Sequence, residues 1–481
     1  MAEAIDITEQ SHIKEIFKDI FKYAPSKVCG MLGNALIVPV YTSILSTEQY
    51  GLYSLSIALL SFLCILFSDW IGLSGLRFFR QNQLTNSVPK YLTTLITLLI
   101  INLSVMFGIA FIFRESFFAF FKVSQEYFIA ILLLIIPVAI RALLFQLLRA
   151  QLKSVAFTFS TILNQIMTIL LSVFFVKVYH MGAIALLLGM AISISITDII
   201  LIFQSGIGKD LKPNVKIEWT SLIPIFNYGI PIAATSLSAW IINQSNKFIM
   251  NSIHGFREVG IVGVAYGLTL PLLMTIFATI TVAVIPRVIN LYEENYDVKP
   301  IISKFIGYYV LIALPLVSTM ALFANDYVRV FSSNPNFYSA SVIIPFFAFG
   351  TFFLALTDYT TLQYHLAKKT EIDFILKLIS GILGIILNII LIPKLSLVGV
   401  GLATLSANFC YVLLSMVIIL PGMRIEYPKE IFNRIILAFV PYLLVSLFVV
   451  NHLLLTPAVR MLFVLIVFHA SYWFIGRLQK S

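Results

Sequence analysis

Several cationic side chains lie within long apolar runs of the sequence or at the ends of those runs. A cation in hydrocarbon is costly unless it faces protein or water, so such a residue marks an internal ion pair or the lining of a polar path. From the residues alone, both interpretations stay open for each of them, and a cation at the end of a run also suits an anchor in the headgroup layer. These cations are Lys27, Arg77, Arg141, Arg149, Lys247, Arg287 and Lys377.

Amide, hydroxyl and aromatic side chains recur at helical spacing inside the same runs. They suit the lining of a polar cavity, and they suit equally well hydrogen bonds that hold helices together. Three isolated acids, Asp69, Asp198 and Asp358, fit a coupling role or a structural ion pair. The amide and aromatic members are Asn34, Asn164, Gln165, Trp240, Asn243, Asn388, Asn408 and Tyr411.

No motif for covalent or metal-assisted catalysis accompanies these residues. The sequence has no G-x-S-x-G, no nucleotide-binding P-loop and no H-E-x-x-H. Its cysteines, Cys29, Cys64 and Cys410, lie in apolar runs without a C-x-x-C spacing, and its histidines are far apart. We therefore expect no cofactor, no metal and no enzymatic activity, and no transport driven by ATP hydrolysis within this chain.

The composition indicates where the chain resides. Of its 481 residues, 60% are hydrophobic and 11% are charged, whereas soluble domains are nearer half apolar and a quarter charged. This excludes a soluble enzyme, a disordered chain and a nucleic-acid-binding domain. The apolar runs are long and continuous, as spanning helices of about 20 residues require, and unlike the alternating strands of a membrane barrel. The sequence predicts an all-α polytopic membrane protein.

Charge and turn signals divide the chain into about fourteen predicted transmembrane helices. No connection between them is long enough to hold a soluble domain. The predicted limits are 23–45, 50–73, 91–112, 127–147, 155–176, 182–203, 221–246, 258–285, 304–324, 341–363, 374–392, 398–420, 435–453 and 458–476.

The positive charges predict the orientation. Most of the 32 lysines and arginines fall in alternate connections, on the side that also holds both termini. By the positive-inside rule that side is cytoplasmic. The net charge of +10 is therefore mainly a topology signal.

The chain also repeats itself. Gly51 and Gly260 follow the first and seventh spans, and Gln146 and Gln363 lie late in each half, at offsets of 209 to 217 positions. Six spans separate equivalent positions, so the repeats share one orientation, as in transporters whose two lobes are related by an axis along the membrane normal. The predicted parts are an interfacial N-terminal segment, an N-lobe, a cytoplasmic linker, a C-lobe, and two extra helices with a cytoplasmic C-terminus: 1–22, 23–203, 204–220, 221–420 and 421–481.

Four motifs in order along the chain are similar to those of one family of exporters. They correspond to its turn after span one, its ending of span two, its start of span seven and its turn after span seven: Ile44–Ser54, Ser68–Arg80, Tyr228–Pro231 and Glu258–Gly260. They resemble the polysaccharide transporter (Wzx-type O-antigen flippase) family of the multidrug/oligosaccharidyl-lipid/polysaccharide exporter superfamily, whose fold is that of the MATE transporters. Members often carry Asp-Arg where this chain has Asn246-Lys247, so the acid is missing here while the positive charge is kept.

The resemblance implies a flippase that moves undecaprenyl-diphosphate-linked oligosaccharides across the bacterial cytoplasmic membrane by alternating access, for surface polysaccharide synthesis. For such a cargo we expect the seven cations to attract the diphosphate, with Arg149 at the cytoplasmic mouth, and the amide and aromatic residues to contact sugars. The implied partners are this lipid-linked cargo, membrane lipids, and glycan polymerase or chain-length proteins. We expect a monomer that binds no nucleic acid.

Three alternatives remain from the sequence. A multidrug–cation antiporter of the same superfamily generally needs intramembrane acids, whereas spans one and seven here carry Lys27 and Lys247. A lipid II flippase is a nearer relative that the sequence separates poorly from a flippase of repeat units. A membrane glycan polymerase would carry a long outer loop, and the predicted outer connections are short.

Overall fold

A computed structural model describes residues 36–121, 124–151, 153–205, 222–425, 428–452 and 456–478. Within these ranges the chain is almost entirely helical and has no β-strand. Lys27, Asn34, the segment 1–22 and most of the predicted linker lie outside the described residues. By packing, the described residues divide into two compact units. Those within Val40–Gly263 form one unit, and those within Val264–Ser481 and up to Pro39 form the other. We call them the N-terminal and C-terminal units.

Residues 206–221 lie outside the described ranges, and elsewhere short connections join the helices of the N-terminal unit. These helices are α1 (Thr47–Cys64), α2 (Trp70–Leu84), α3 (Val88–Ile112), α4 (Arg114–Phe121), α5 (Gln125–Ala150), α6 (Ser154–Tyr179), α7 (Gly182–Ser205) and α8 (Leu222–His254). A π-helical segment, Ile65–Asp69, joins α1 to α2 without a break.

Helix α9 (Phe256–Glu293) begins in the N-terminal unit and continues in the C-terminal unit. The C-terminal unit then contains α10 (Lys299–Leu322), α11 (Ala324–Phe331), a 3₁₀ segment (Pro335–Val342), α12 (Ile344–Thr360), α13 (Leu362–Leu366), α14 (Thr370–Val417), α15 (Lys429–His452) and α16 (Pro457–Leu478).

Most of these helices are long enough to cross a bilayer. Eleven helices within the described ranges are long and apolar enough to do so, or twelve if the bent pair Pro335–Val342 and Ile344–Leu366 forms one span. Helices suit this environment because they satisfy their own backbone hydrogen bonds where no water is present.

Helix α14 folds back on itself at Ser396. A straight helix of its 48 residues would be roughly 72 Å long, more than twice the thickness of the hydrocarbon layer, about 30 Å. Ser396 interrupts it with φ 47° and ψ −119°. A Cβ added to Gly384 would lie 3.1 Å from the Cβ of Ala407, so the segments on either side of Ser396 pack together. Helix α14 therefore contains two spans, as the predicted limits 374–392 and 398–420 require.

The start of α1 and the start of α9 meet through their backbones. A Cβ on Gly51 would collide with the carbonyl oxygen of Phe256, and a Cβ on Gly260 with the carbonyl oxygen of Thr47. These glycines are the equivalent positions of the internal repeat found in the sequence. Because any side chain would separate the two helices, glycine at both positions permits the contact.

Helix α8 packs along α1 and α2 within the N-terminal unit. Gly229 faces the ring of Trp70 so closely that a Cβ would overlap it. The hydroxyl of Ser74 donates to the carbonyl oxygen of Ile225 at 3.3 Å. Packing therefore groups α8 with α1–α7, and the predicted lobe boundary at 204–220 stays a prediction.

The last two spans belong to the C-terminal unit. Helix α15 packs against α10, where the buried hydroxyls of Thr319 and Tyr442 lie 3.0 Å apart. Gly307 of α10 leaves room for Ile431. Large apolar side chains of α15 and α16, such as Leu444 at 66% exposure, face outward as lipid contact requires.

The predicted all-α polytopic fold class is confirmed. Every predicted span from 50–73 onward coincides with a helix or a bent pair of helices, and most of these helices extend beyond the predicted limits. The periodicity could not predict α4 and α11, since each has only eight residues. Helix α11 is held by tertiary contacts, among them a hydrogen bond of 2.7 Å from the Tyr327 hydroxyl to the carbonyl oxygen of Leu268.

We expect Gly51→Ala and Gly260→Ala to destabilise the protein, because each added methyl group meets a backbone carbonyl that cannot rotate away. Overpacking of this kind costs about 1–3 kcal/mol. Thermal unfolding of the purified protein in detergent measures the effect. Gly108→Ala is the matched control, since nothing lies within 4 Å of a Cβ at that helical position. Equal unfolding temperatures for all three variants would contradict the close-contact argument.

Candidate functional site

Arg141 and Asp198 form a buried ion pair between α5 and α7. Arg141 is 8% exposed and Asp198 is 3% exposed. The Arg141 Nε donates a hydrogen bond to Asp198 Oδ1 at 2.8 Å. The guanidinium also donates to the carbonyl oxygen of Ile194 at 3.1 Å and contacts the hydroxyl of Thr197. Because the pair is neutral as a whole, its geometry favours holding the two helices together over attracting an anion.

Arg77 differs from Arg141 because no acid neutralises its charge among the described residues. It lies on α2, is exposed, and has no hydrogen-bond or ion-pair partner among the described residues. Its charge is therefore available to a ligand.

Arg149 lies at nearly the same level as Arg77. A Cβ on Gly72 of α2 would lie 3.1 Å from the carbonyl oxygen of Ala142 on α5, and a Cβ on Gly75 would lie 3.5 Å from Leu143 and 3.8 Å from Leu147. This register brings Arg77 to the last turn of α5, where Arg149 is exposed and stacks at 5.3 Å over the Phe157 ring. The structure thus brings two of the predicted cations to one level of the N-terminal unit.

Helix α8 carries three of the predicted residues. The indole N–H of Trp240 donates to the carbonyl oxygen of Ala58 and to the hydroxyl of Ser61, both at 3.0 Å. That N–H is therefore engaged by α1. Asn243 donates to its own helix, while its buried Oδ1 has no hydrogen-bond partner in the described part of the chain. Lys247, one turn further, is 4% exposed.

Lys377 and Tyr411 meet at a buried acid that the sequence analysis did not single out, Asp373. The Lys377 Nζ lies 2.8 Å from Asp373 Oδ2, and the Tyr411 hydroxyl donates to Asp373 Oδ1 at 2.5 Å. The Nε2 of His365 lies 3.7 Å from the same carboxylate. Asp373 therefore neutralises the charge of Lys377, as Asp198 neutralises that of Arg141. A sequence signal existed, since Asp373 and Lys377 are four residues apart on one helix.

Two buried amides of α14 have unused hydrogen-bonding capacity. Asn408 is 0% exposed, and neither its Nδ2 nor its Oδ1 has a hydrogen-bond partner among the described residues. Asn388 donates to the carbonyl oxygen of Gly384 at 2.8 Å, but its Oδ1 is likewise unpartnered. Buried polar groups are nearly always hydrogen-bonded. These two amides therefore favour the predicted role in a polar lining that water or a polar ligand satisfies.

Asp69 lies at the end of the π-helical segment Ile65–Asp69. It accepts a hydrogen bond of 3.4 Å from the hydroxyl of Ser68. Such π-helical turns occur often at functional sites. Sequence reasoning missed this segment, because its apolar residues do not differ from those of an ordinary helix.

The remaining predicted residues are dispersed. Asn164 accepts a hydrogen bond of 2.9 Å from the hydroxyl of Ser193, which joins α6 to α7. Gln165 is half-buried beside it. Arg287 on α9 and Asp358 on α12 are half-buried in the C-terminal unit.

Taken together, these contacts suit non-covalent binding of polar or anionic groups. Among the described residues, no group of three or more His, Cys, Asp or Glu side chains could hold a metal ion.

The sequence matches the profile of the polysaccharide biosynthesis protein family over residues 16–292, more than half of the chain. No curated protein matches the sequence. The fold is similar to that of the lipid II flippase MurJ in an inward closed conformation, at 17% identity and a TM-score of 0.72, covering 97% of this chain and 99% of that one. It is also similar to an inward-facing multidrug resistance MATE family transporter of the MOP superfamily, at 15% identity and a TM-score of 0.66, covering 81% and 93%.

We expect the Arg141–Asp198 pair to act as a unit in stability. Arg141→Met or Asp198→Leu alone leaves a buried charge without its partner, which costs about 3–5 kcal/mol, whereas replacing both removes the two charges together. The double variant should therefore unfold at a higher temperature than either single variant. Losses that simply add in the double variant would show that the two charges are not coupled.

Proposed function

The chain belongs to the polysaccharide biosynthesis protein family, and from that premise we propose that it is a flippase for undecaprenyl-diphosphate-linked oligosaccharides. The observation that carries the proposal is Arg77. It is exposed and unpaired among the described residues, whereas Arg141 and Lys377 are each matched by a buried acid. A diphosphate needs such unneutralised cations, because crossing a low-dielectric region removes its hydration.

In this proposal Arg77 and Arg149 attract the diphosphate at their shared level of the N-terminal unit. Lys247 and Arg287, with Lys27 outside the described residues, supply further positive charge along the path. Arg141 and Lys377 contribute mainly by holding helices in place, since their charges are balanced by Asp198 and Asp373.

Sugar recognition is assigned to amides with unused hydrogen-bonding capacity. Asn243, Asn388 and Asn408 each have a buried amide atom with no hydrogen-bond partner among the described residues, and sugar hydroxyls both donate and accept hydrogen bonds. Asn164 and Gln165 add polar surface on α6.

Movement of the cargo would follow alternating access, with the isoprenoid tail remaining in the bilayer. Asp69 and Asp358 are the candidate acids for a coupling ion, since Asp198 is engaged by Arg141. On this reading the chain is a monomer in the bacterial cytoplasmic membrane with both termini inside, where glycan polymerase and chain-length proteins would use its product. The chain itself would carry out no enzymatic step.

A lipid II flippase is the second candidate. The similarity to MurJ extends over 97% of the chain, whereas the similarity to the MATE transporter extends over 81%. The wider coverage favours a lipid-linked cargo over an organic cation. It does not discriminate between lipid II and an oligosaccharide repeat unit, because both cargoes carry a polyprenyl diphosphate.

Transport in proteoliposomes tests the cargo directly. The intact protein is reconstituted with a fluorescent undecaprenyl-diphosphate oligosaccharide, a fluorescent lipid II or an organic cation, and access of each to an external quencher is followed. We expect movement of the oligosaccharide lipid. Movement of lipid II alone would favour the second candidate, and movement of the cation alone would overturn the proposal.

We expect Arg77→Gln to slow transport of the oligosaccharide lipid by about tenfold or more, and Arg77→Glu to slow it further. One charge-assisted contact with the diphosphate is worth about 1.5–3 kcal/mol. Arg80→Gln is the matched control, because Arg80 lies on the same helix and its Nη1 already donates to Gln83 Oε1 at 2.6 Å. The assignment of Arg77 fails if both arginines tolerate the change equally well and the variants insert in equal amounts.

A further inference from the structure

A cavity of about 920 Å³ lies within the C-terminal unit, and its described lining includes none of the residues assigned above. It is formed where four elements begin or end: α10 begins at Lys299, α13 ends at Leu366, α14 ends at Val417 and α15 begins at Lys429. Since these are the ends of spanning helices, the cavity lies at a boundary between the membrane and water. Its volume is within the range of about 300–1,000 Å³ typical of small-molecule sites.

Three cations from three different segments line this cavity: Lys304, Arg424 and Lys429. Arg424 and Lys429 are exposed and have no ion-pair partner among the described residues. Glu430 is the acid among the described lining residues, but its side chain is 90% exposed and lies 4.0 Å from Arg434. Among the described lining residues, positive charges therefore outnumber negative ones.

A second part of the lining is polar, buried and held in place by hydrogen bonds. Gln363 donates to the carbonyl oxygens of Thr360 and Ser415 at 3.0 and 3.1 Å. Its Oε1 accepts from the backbone N–H of Leu420 at 3.0 Å. The hydroxyls of Thr360 and Ser415 lie 2.6 Å apart. These bonds tie the end of α14 to α12 and α13, so this wall exists before any ligand binds.

The third part of the lining is apolar. It consists of side chains from the end of α14, the connection that follows and the start of α15, among them Met416, Ile419, Met423 and Ile431. Cationic, polar and apolar surfaces thus meet in one cavity at a membrane boundary. An anionic lipid has three complementary parts. Its phosphate matches the cations, its glycerol or sugar matches the polar wall, and the start of its hydrocarbon chain matches the apolar side chains.

We propose that this cavity binds the phosphate-bearing headgroup of an anionic lipid. Arg424, Lys429 and Lys304 contact the phosphate, the Thr360–Gln363–Ser415 wall faces the polar part, and the apolar side chains cover the first methylene groups. The side predicted to be cytoplasmic holds this cavity, and the cytoplasmic leaflet is the one rich in anionic lipids. A phospholipid and a polyprenyl diphosphate present the same chemistry, and the site does not depend on what the protein transports.

Lipid binding to the intact protein tests the site. The protein is purified in a neutral detergent and titrated with a short-chain phosphatidylglycerol. Phosphatidylcholine, which is zwitterionic and has no net charge, is the comparison, and bound lipid is counted by native mass spectrometry. We expect phosphatidylglycerol to bind at least about tenfold more tightly than phosphatidylcholine. Equal binding of the two lipids would overturn the proposal.

Variants locate the binding to this cavity. Arg424→Gln with Lys429→Gln should weaken phosphatidylglycerol binding about tenfold or more, because charge-assisted contacts are the strong ones. Lys368→Gln with Lys369→Gln is the matched control: it removes two exposed cations that do not line the cavity but lie on the connection leading into α14. Arg424→Lys with Lys429→Arg keeps both charges and should retain binding. Equal losses in the cavity and control variants would overturn the assignment.

Two competitors identify the source of the phosphate. If undecaprenyl diphosphate displaces phosphatidylglycerol, the site accepts the cargo lipid as well; if it does not, the site is specific for membrane phospholipid. Either result supports a lipid headgroup site. Soluble pyrophosphate that binds as tightly as phosphatidylglycerol would overturn it, because the apolar part of the lining would then contribute nothing.

Discussion

The bilayer provides no water to satisfy a buried polar group, and the rest of this structure depends on that constraint. Backbone groups meet it by forming helices that are long enough to cross. Buried charges meet it by pairing: Arg141 with Asp198, and Lys377 with Asp373. Pairing of this kind removes most of the attraction that these cations would otherwise exert on a ligand. What remains available for binding is therefore a smaller set, in which Arg77 is the clearest member.

The lack of water in the bilayer also explains why buried polar groups without a hydrogen-bond partner indicate a binding site. Asn388 and Asn408 retain unused amide atoms deep in the C-terminal unit. Leaving such atoms dry costs free energy, so a folded protein keeps them where water or a polar ligand is present. Side chains at a membrane boundary face a weaker constraint. Arg424 and Lys429 reach water, and their charges can remain unpaired until an anion arrives.

Close helix packing supplies the geometry that these charges require. Gly51 and Gly260 allow two helix starts to touch through their backbones, and Gly229 allows α8 to lie against Trp70. Each contact fixes the rotation and level of a helix that carries polar residues. The level of Arg77 relative to Arg149 follows from such a contact, at Gly72.

The sequence by itself determined the environment, the helical class, the positions of the spans from 50–73 onward and the family. These properties depend on composition and on periodicity within one segment, and both are visible in a single chain. The acid that neutralises Lys377 lies four residues away, and it too was accessible from spacing. Only the tertiary structure could decide which cations remain available, because Arg141 and Asp198 are 57 residues apart and meet through the packing of α5 on α7. The cavity at Arg424 is likewise a property of four helix ends that no local pattern brings together.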